Sequence, residues 1–511
     1  MTVRVTTAEQ AVARDTAAIG AGIPSWTLMQ SAGDATAQLI LQRFPEVRTS
    51  GAIVYAGSGN NGGDAYVVAR VLAEARCPVA VIAAGAPKTA DSQRAAREAA
   101  GPIAEVSDPQ HPAVIVDGLL GVGARGEVNA EYAMHIAAIA AWRAQGAAVV
   151  SLDLPSGVDA VSGAGASVVR ADLTCTYGTV KRGLLLRRDE AGEILCLDIG
   201  LGAHAQLDDG AALLVDADWV RAAIPAIPAD AHKGVRRRLA IVGGGDGMAG
   251  APMLAARGAM RSGIGMVQLL VSPNNVPVVQ AALPETMAAR WPVTTEDQAK
   301  VLGWAHALLI GPGLGRTAMT RALVERLLVE WKGPVVLDAD ALNVFEGEPR
   351  TLGSLLGARP AIVTPHPVEA GRLLRRTGAS VSADRFTVGL ELAKQLGATV
   401  LFKGVPTVIS APDGRVAVSA SGSPTLGAAG SGDVLGGIVA TLLAQTGDAF
   451  AAASAAAWIH GRAGEIAAAH GSVRGTSLQD VILALRDAWR LDDASPASPV
   501  LASLPSVGRA R

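Results

Sequence analysis

Short apolar runs return along the chain with longer stretches of helical spacing between them. In the first part they are Ala52 to Tyr55, Val79 to Ala83, Ala113 to Val116, and Ala147 to Leu152. Runs this short, apolar at consecutive positions, read as strands buried on both faces and joined by crossover helices. From Asp172 to Leu201 the texture changes to short strands broken by Gly178, Gly183 and Gly192, as at a sheet edge or a finishing hairpin. A second series begins at Leu239 to Val242. It continues through Val267 to Val271, Ala307 to Ile310, Val335 to Leu337, Ala361 to Thr364, and Val400 to Phe402, with helices at Ala251 to Arg261 and Val434 to Leu443. The pattern predicts an α/β chain with two three-layer αβα domains, each a mainly parallel sheet between helices. No internal repeat links the two series.

Between them, Ile224-Pro225-Ala226-Ile227-Pro228-Ala229-Asp230 reads as an extended linker, because proline restricts itself and the residue before it. The expected domains are therefore 1–215 and 230–492, with a linker at 216–229. The Pro/Ser/Ala-rich tail, 493–511, is expected to be poorly ordered.

Composition agrees with this division. At 511 residues the chain exceeds one ordinary core. Half of it is hydrophobic but only 3% aromatic, with 59 glycines, which fits Ala/Val/Leu/Ile cores and many tight turns. A net charge of -2 without a block of like charge predicts no nucleic-acid partner, and Arg236-Arg237-Arg238 reads as a solvated strand entrance. Cys77, Cys175 and Cys196 lack paired spacing, which points to a reducing compartment and away from zinc. No apolar run approaches the roughly 20 residues of a membrane span, so a cytoplasmic protein without a membrane partner is expected. The Ala-rich apolar helices predict self-association into a homo-oligomer.

Two glycine-rich acidic loops stand out. Asn60-Asn61-Gly62-Gly63-Asp64 follows the first strand, where open α/β sheets bind ligands and backbone amides at a helix start can hold an anion. Two further strand ends carry Asp117, followed by Gly118 to Gly126, and Asp153-Leu154-Pro155-Ser156-Gly157. Any one of these acids is commonly a cap or turn residue. Three at one sheet edge suggest a bound cation, because clustered carboxylates repel. In the second part, Gly430-Ser431-Gly432-Asp433 opens an apolar helix. Other strand ends lead into Gly311-Pro312-Gly313-Leu314-Gly315, Asp338-Ala339-Asp340, Thr364-Pro365-His366-Pro367-Val368-Glu369 and Lys403-Gly404.

The first constellation, with Pro24 to Gly33, resembles the NAD(P)H-hydrate epimerases and implies a Rossmann-like domain. The resemblance implies that Asn60, Asn61, Gly62, Gly63, Asp64, Gly121, Val122, Gly123, Ala124, Arg125, Gly126 and Glu127 bind the hydrated dinucleotide, with Asp153 beside it as acid/base. It further implies that Asn61, Asp117 and Ser156 hold a potassium ion. Ala65 departs from the glycine usual there.

The second constellation, with His232-Lys233-Gly234 and Gly243-Gly244, is similar to the ADP-dependent NAD(P)H-hydrate dehydratases of the ribokinase-like superfamily. By that similarity Ala251, Gly313 and His366 contact the hydrate. Lys403, Gly404, Val405, Pro406, Thr407 and Gly432 contact the adenine nucleotide, and Asp433 is the catalytic acid/base. ADP is then a co-substrate and Mg²⁺ a cofactor, with Glu369 a candidate to place the metal. Val235-Arg236-Arg237 and Ser423 depart from the usual Asp-Tyr-Gly and asparagine.

Together the resemblances imply repair of the small molecules NADHX and NADPHX. Hydrates are epimerised at C6 and the S form is dehydrated with release of AMP and phosphate. A second reading is a vitamin-precursor kinase of the ribokinase-like kind, fused to a non-catalytic dinucleotide- or protein-binding domain.

Overall fold

A computed structural model describes residues 2–491 and 496–507. The described residues form two compact units, 2–213 with 496–507, and 214–491.

The first unit is built on β1 (Ala52–Ala56), β2 (Val79–Ala83), β3 (Val114–Gly118), β4 (Ala148–Leu152), β5 (Leu173–Tyr177) and β6 (Glu193–Leu197). Their order in the sheet is β6-β5-β4-β3-β1-β2, all parallel. Every residue of β1 and β3 is buried, as consecutive apolar positions require of a strand covered on both faces. One face packs Val54, Val116, Val150 and Leu152 against Ile40, Val68 and Leu72 of the covering helices. The other packs Ile53, Ile115 and Val149 against Ile136 and Ile139. Each such side chain contributes roughly 1.5–3 kcal/mol on burial.

The tail expected to be poorly ordered is corrected at 500–504. A strand there, Val500–Leu504, pairs antiparallel with β6, and its alternate residue Ala502 is buried. The remaining unpaired edge of β6 and the apolar alternation of Val500, Ala502 and Leu504 supply the reason. The parts of the tail at 493–495 and 508–511 lie outside the described residues.

The second unit contains β7 (Arg238–Val242), β8 (Met266–Val271), β9 (Met287–Arg290), β10 (Ala307–Ile310), β11 (Val335–Leu337), β12 (Ala361–Val363), β13 (Thr399–Phe402), β14 (Thr407–Ser410) and β15 (Val416–Ser419). They lie in the order β9-β8-β7-β10-β11-β12-β13-β14-β15. Pairing is parallel from β9 to β13 and antiparallel at β14 and β15. The half-exposed β9 and the hairpin β14-β15 escape the pattern of fully apolar runs. Within the span expected to be a linker, Asp216 caps a helix, Ala217–Ala223, by accepting from the Trp219 amide; the extended part is the proline segment beyond it.

Strand order reverses in both sheets, between β1 and β3 in the first and between β7 and β10 in the second. Loops leaving neighbouring strands part company at such a point and open a crevice at the carboxyl ends. The helices Gly250–Arg261 and Ser431–Thr446 flank the second crevice and meet backbone to backbone. A Cβ at Gly437 would lie 1.8 Å from the Ala255 carbonyl oxygen, and one at Gly258 would lie 2.3 Å from that of Val434. Among the described residues, no helix is long and apolar enough to cross a membrane.

Gly437→Ala is therefore expected to destabilise the protein by more than about 2 kcal/mol, since neither helix backbone can give way. Gly303→Ala, on an open helix surface with nothing within 4 Å, is expected to be neutral or to stabilise by roughly 0.5 kcal/mol. Denaturant unfolding of both variants checks the contrast.

Candidate active sites

In the first unit the glycines of the Asn60 to Asp64 loop serve packing. A Cβ on Gly62 would lie 1.8 Å from the Gly57 carbonyl oxygen, and one on Gly63 would lie 2.7 Å from Met29 Sδ. Gly57 in turn lies against the Leu119 carbonyl, where a Cβ would stand at 1.9 Å. The helix Asn60–Glu74 is thereby pressed onto the loop leaving β3, and Asn60 is left exposed at its start. The methyl of Ala65 is accommodated by Gly118, whose own Cβ would sit 2.5 Å from it.

Asp117 is fully buried and saturated. Its carboxylate accepts from Ser151 Oγ (2.8 Å), Ser156 N (2.8 Å) and Ser156 Oγ (2.5 Å), which offset a burial that raises its pKa. Ser156 Oγ also accepts from the Leu120 amide at 2.9 Å, and Asn61 Nδ2 donates to the Leu120 carbonyl at 3.0 Å. Asn61, Asp117 and Ser156 thus meet around the Leu120 backbone, with Asn61 Oδ1 buried and without a hydrogen-bond partner. An orphaned buried oxygen beside a carbonyl, a hydroxyl and a carboxylate fits a hard monovalent cation.

Asp153 follows β4 with a left-handed backbone, φ +63°. Its Oδ2 accepts from the Val122 amide at 3.2 Å, which joins it to the Gly121 loop. Its Oδ1 accepts from Thr176 Oγ1 at 3.3 Å and is 2.5 Å from the ammonium of Lys181. Lys181, Asp15 on the first long helix, and Asp64 face the same space. Burial raises Asp64 well above the carboxylate range, reinforced by Asp153 and Asp15 and opposed by Lys181; Asp15 is raised for similar reasons. The expected trio of acids does not share one cation: Asp117 turns into its own hydrogen bonds, while Asp64 and Asp153 share a lysine. Further along the Gly121 loop, Arg125 pairs with Glu9 at 2.6 Å in solvent, and Gly123, Gly126 and Glu127 are exposed.

The second unit gathers its polar groups around Lys403. The ammonium is 2.8 Å from Asp338 Oδ1 and 3.8 Å from Glu369 Oε2, and a Cβ on Gly432 would lie 3.4 Å from it. Asp338 reaches the same helix from beneath, with Oδ2 standing 3.5 Å from a Cβ on Gly436. Gly430, at φ +87°, turns the chain into that helix; the Ser431 amide donates to the Ala428 carbonyl at 3.3 Å, and the Gly432 and Asp433 amides open the helix. The Asp433 carboxyl is pushed up to about 7 by burial and by Asp338, with Asp340 and Glu369 adding to the effect and Lys403 opposing it. Asp338, Glu369 and Asp433 around one ammonium leave excess negative charge, a donor set that fits Mg²⁺ brought in with a nucleotide. Among the described residues, no group of three or more His, Cys, Asp or Glu side chains is already arranged as a metal cage.

Of the residues expected to contact the hydrate, Ala251 and Gly313 meet at the β7/β10 crevice, whereas His366 follows β12, two strands from β10. Gly313, at φ +59°, is packed so closely that a Cβ would stand 3.1 Å from that of Ala251. Asp340 holds the same loop by accepting from the Gly315 amide at 2.9 Å. His366 caps the helix Pro367–Leu374; its Nδ1 accepts from the Val368 and Glu369 amides, so the neutral ring carries its proton on Nε2, 3.3 Å from Glu369 Oε1. Burial and the Lys403 charge lower its pKa. Lys403 lies within the carboxylate cluster, whereas Gly404 to Thr407 form the turn into β14. Arg385 braces this turn by donating to the Pro406 carbonyl at 2.8 Å. Val235 is exposed, Arg236 donates to the Gly263 carbonyl, and Ser423 caps a short turn over Pro424–Gly427, so these departures sit in connecting backbone.

Sequence reasoning missed Lys181, Asp15 and His460. Each is a polar residue in a segment otherwise read as structural. Lys181 closes the short strand Val180–Lys181, and His460 lies in the Ala-rich helix Ala449–Ala469, 3.3 Å from Ser431 Oγ. Local sequence held no signal for them: Lys181 is followed by Arg182, and Asp15 lies between Arg14 and Thr16.

Two family models match the chain in order: YjeF-related protein N-terminus over residues 25–183, and NAD(P)H-hydrate dehydratase over 239–486. The bifunctional NAD(P)H-hydrate repair enzyme Nnr of Coxiella burnetii is 36% identical over 485 residues, covering 92% of this chain and 96% of that protein. The Escherichia coli enzyme of the same name is 32% identical, covering 91% and 90%. Among solved structures, an ADP/ATP-dependent NAD(P)H-hydrate dehydratase from Bacillus subtilis, co-crystallised with ATP/Mg²⁺, is 29% identical with a TM-score of 0.47, covering 54% of this chain and 97% of that one. With both models in sequence and relatives aligned over nine-tenths of its length, the chain belongs to the bifunctional NAD(P)H-hydrate repair enzymes.

Proposed function

We propose that the first unit interconverts the R and S hydrates of NADH and NADPH at C6, and that the second dehydrates the S hydrate with ADP. The observation that carries this reading is the same in both units: a crevice at the reversal of strand order, lined by carboxyl groups of unequal proton affinity around a buried lysine. Groups whose surroundings push their proton affinities apart divide acid from base work.

In the first unit, the ring-nitrogen lone pair expels the C6 hydroxyl as an iminium forms, and water returns to either face. Expulsion needs a proton donor and return needs a base. Burial, with Asp153 and Asp15 beside it, raises the proton affinity of Asp64, the proposed donor, and it faces Asp153, whose oxygens meet the Val122 amide, the Thr176 hydroxyl and the Lys181 ammonium. The Asn60 to Asp64 and Gly121 to Glu127 loops hold the dinucleotide. Asn61, Asp117 and Ser156 would hold potassium, whose fixed charge would favour a substrate phosphate without taking part in proton transfer.

In the second unit, Asp433 removes the proton from the C6 hydroxyl as that oxygen attacks the terminal phosphorus of ADP. The bond from phosphorus to the bridging oxygen breaks and AMP leaves. Phosphate then departs from C6 with its bonding electrons, a proton leaves C5, and conjugation returns. The Gly432 amide and the Lys403 ammonium face the transferred charge. Glu369 and Asp338 would hold Mg²⁺, which when bound neutralises nucleotide phosphate charge. His366, Ala251 and Gly313 seat the hydrate, and Gly404, Val405, Pro406 and Thr407 border the adenine nucleotide.

Asp433→Asn is expected to lose at least about a thousandfold in dehydration rate while keeping ADP affinity within a few-fold. Asp153→Ala is expected to reduce R/S interconversion to the spontaneous rate with dehydration of the S hydrate intact. Separate assays on each hydrate, with calorimetric ADP titration, check both; normal turnover in either variant would remove that residue from its role.

The Asp433 environment also predicts a pH dependence of stability. Its folded pKa of about 7 lies above the ordinary 3.8, so its favourable contribution is full below the ordinary value and is lost as pH rises through about 7. Without nucleotide or divalent metal, Asp433→Asn should exceed the parent protein in stability at pH 8 by on the order of a few kcal/mol, an advantage that closes toward pH 4. Urea midpoints across that range measure it; a gap independent of pH would contradict the cluster.

A further inference from the structure

The first site contains a charged group that the dinucleotide loops and the potassium ligands do not include. Lys181 is buried, and its ammonium lies 2.5 Å from Asp153 Oδ1, 3.0 Å from Thr176 Oγ1, and 3.0 and 3.3 Å from the carbonyls of Tyr177 and Thr179. Its place is fixed from outside the site. The strand Val180–Lys181 runs parallel to the N-terminal strand Arg4–Thr6, with Lys181 opposite Thr6, and Thr6 Oγ1 lies 2.9 Å from Thr179 Oγ1. Thr176 completes the arrangement, since its hydroxyl accepts from Lys181 and donates to Asp153. One carboxylate oxygen is thus held from the sheet side by an ammonium and a hydroxyl. The other, Oδ2, is turned to the Val122 amide on the loop that borders the crevice.

We infer that Lys181 is a positioning residue for epimerisation: through its contact with Oδ1 it supplies the charge paired with Asp153 and aims Oδ2 into the crevice as the base. The inference rests on the reading of Asp153 given above. A lysine needed only for folding would leave the proton affinity of the reacting base unchanged when replaced by an uncharged side chain of similar length. A lysine whose charge is paired with Asp153 would not, because a nearby positive charge favours the charged form of a carboxyl. The groups that share its surroundings are Asp15 from the helix Ala8–Gly20, Asp64 from the helix Asn60–Glu74, Tyr177 from β5 and Cys196 from β6. All four are raised chiefly by burial. Lys181 is therefore the positive charge in a carboxyl-rich space, and its loss leaves Asp15, Asp64 and Asp153 to repel one another.

The test uses the full chain with R and S hydrates resolved by chromatography, and follows R/S interconversion above the spontaneous rate between pH 5 and 9. Lys181→Met is expected to lower kcat by about tenfold or more and to move the acid limb of the kcat profile upward by about one pH unit or more. KM should stay within about threefold, and S-hydrate dehydration should be unchanged. Lys181→Arg, which restores the charge, should return the limb toward its original position. An acid limb unmoved in a folded Lys181→Met protein overturns the inference, whatever the loss of rate. Should that variant fail to fold, Thr176→Val removes the other donor to Oδ1 and is judged by the same shift. Asp153→Ala separates the two levels: full epimerisation in that variant sinks the base assignment itself, whereas its loss together with an unmoved limb in Lys181→Met sinks only the role of the lysine.

Discussion

A buried ammonium costs several kcal/mol in lost hydration unless carboxylates and hydrogen bonds surround it. Each unit of this chain supplies such surroundings at the carboxyl ends of its parallel strands. Lys403 is met by Asp338 and Glu369, and Lys181 by Asp153, Thr176 and two carbonyls. In both places carboxyl groups outnumber the lysine, and those without direct contact are raised first by burial and then by their carboxylate neighbours. Asp64 and Asp433 are in that position. Both sites thus combine burial with an excess of carboxyl groups over the lysine. The two sites differ in what else they present: loops and an oxygen-rich pocket around Leu120 in the first, an exposed helix start in the second.

Backbone contact holds these clusters in place. Gly57 and Gly62 press the first loop against the one that follows β3, and Gly243 and Gly311 do the same in the second unit, where a Cβ would lie 2.2 Å from the Pro312 carbonyl oxygen and 1.8 Å from that of Asp338. Two loops from neighbouring strands can approach this closely only without side chains. The crevice is narrow at its base for that reason, and its polar groups come within range of one another.

The strands were legible because burial on both faces demands uninterrupted apolar runs, and strand ends carrying Asp117, Asp153, Asp338, His366 and Lys403 stood out against that background. Strands exposed on one side, such as β9 and Val500–Leu504, gave no such run. The glycines of the Asn60 loop looked like a phosphate cradle, but Gly62 and Gly63 are spent on packing against Gly57 and Met29. Asp117 read as one of three acids gathered around a cation, yet Ser151 and Ser156 donate to it; both partners lie more than thirty positions away in sequence. Lys181 could not be connected to Asp153 for the same reason: the contact depends on the pairing of Val180–Lys181 with a strand at the N-terminus. Local spacing shows which residues end a strand, and long-range pairing decides which of them face each other.

The central claim is that one chain carries two successive activities on the same damaged cofactor. It is tested most directly by giving the intact protein an R/S mixture of NADH hydrate with ADP and Mg²⁺ and following the absorbance of reduced nicotinamide. The account predicts recovery of the whole mixture, faster than spontaneous epimerisation allows and with one phosphate released per nicotinamide restored. Recovery that halts once the S form is consumed, and then proceeds only at the spontaneous rate, would contradict it.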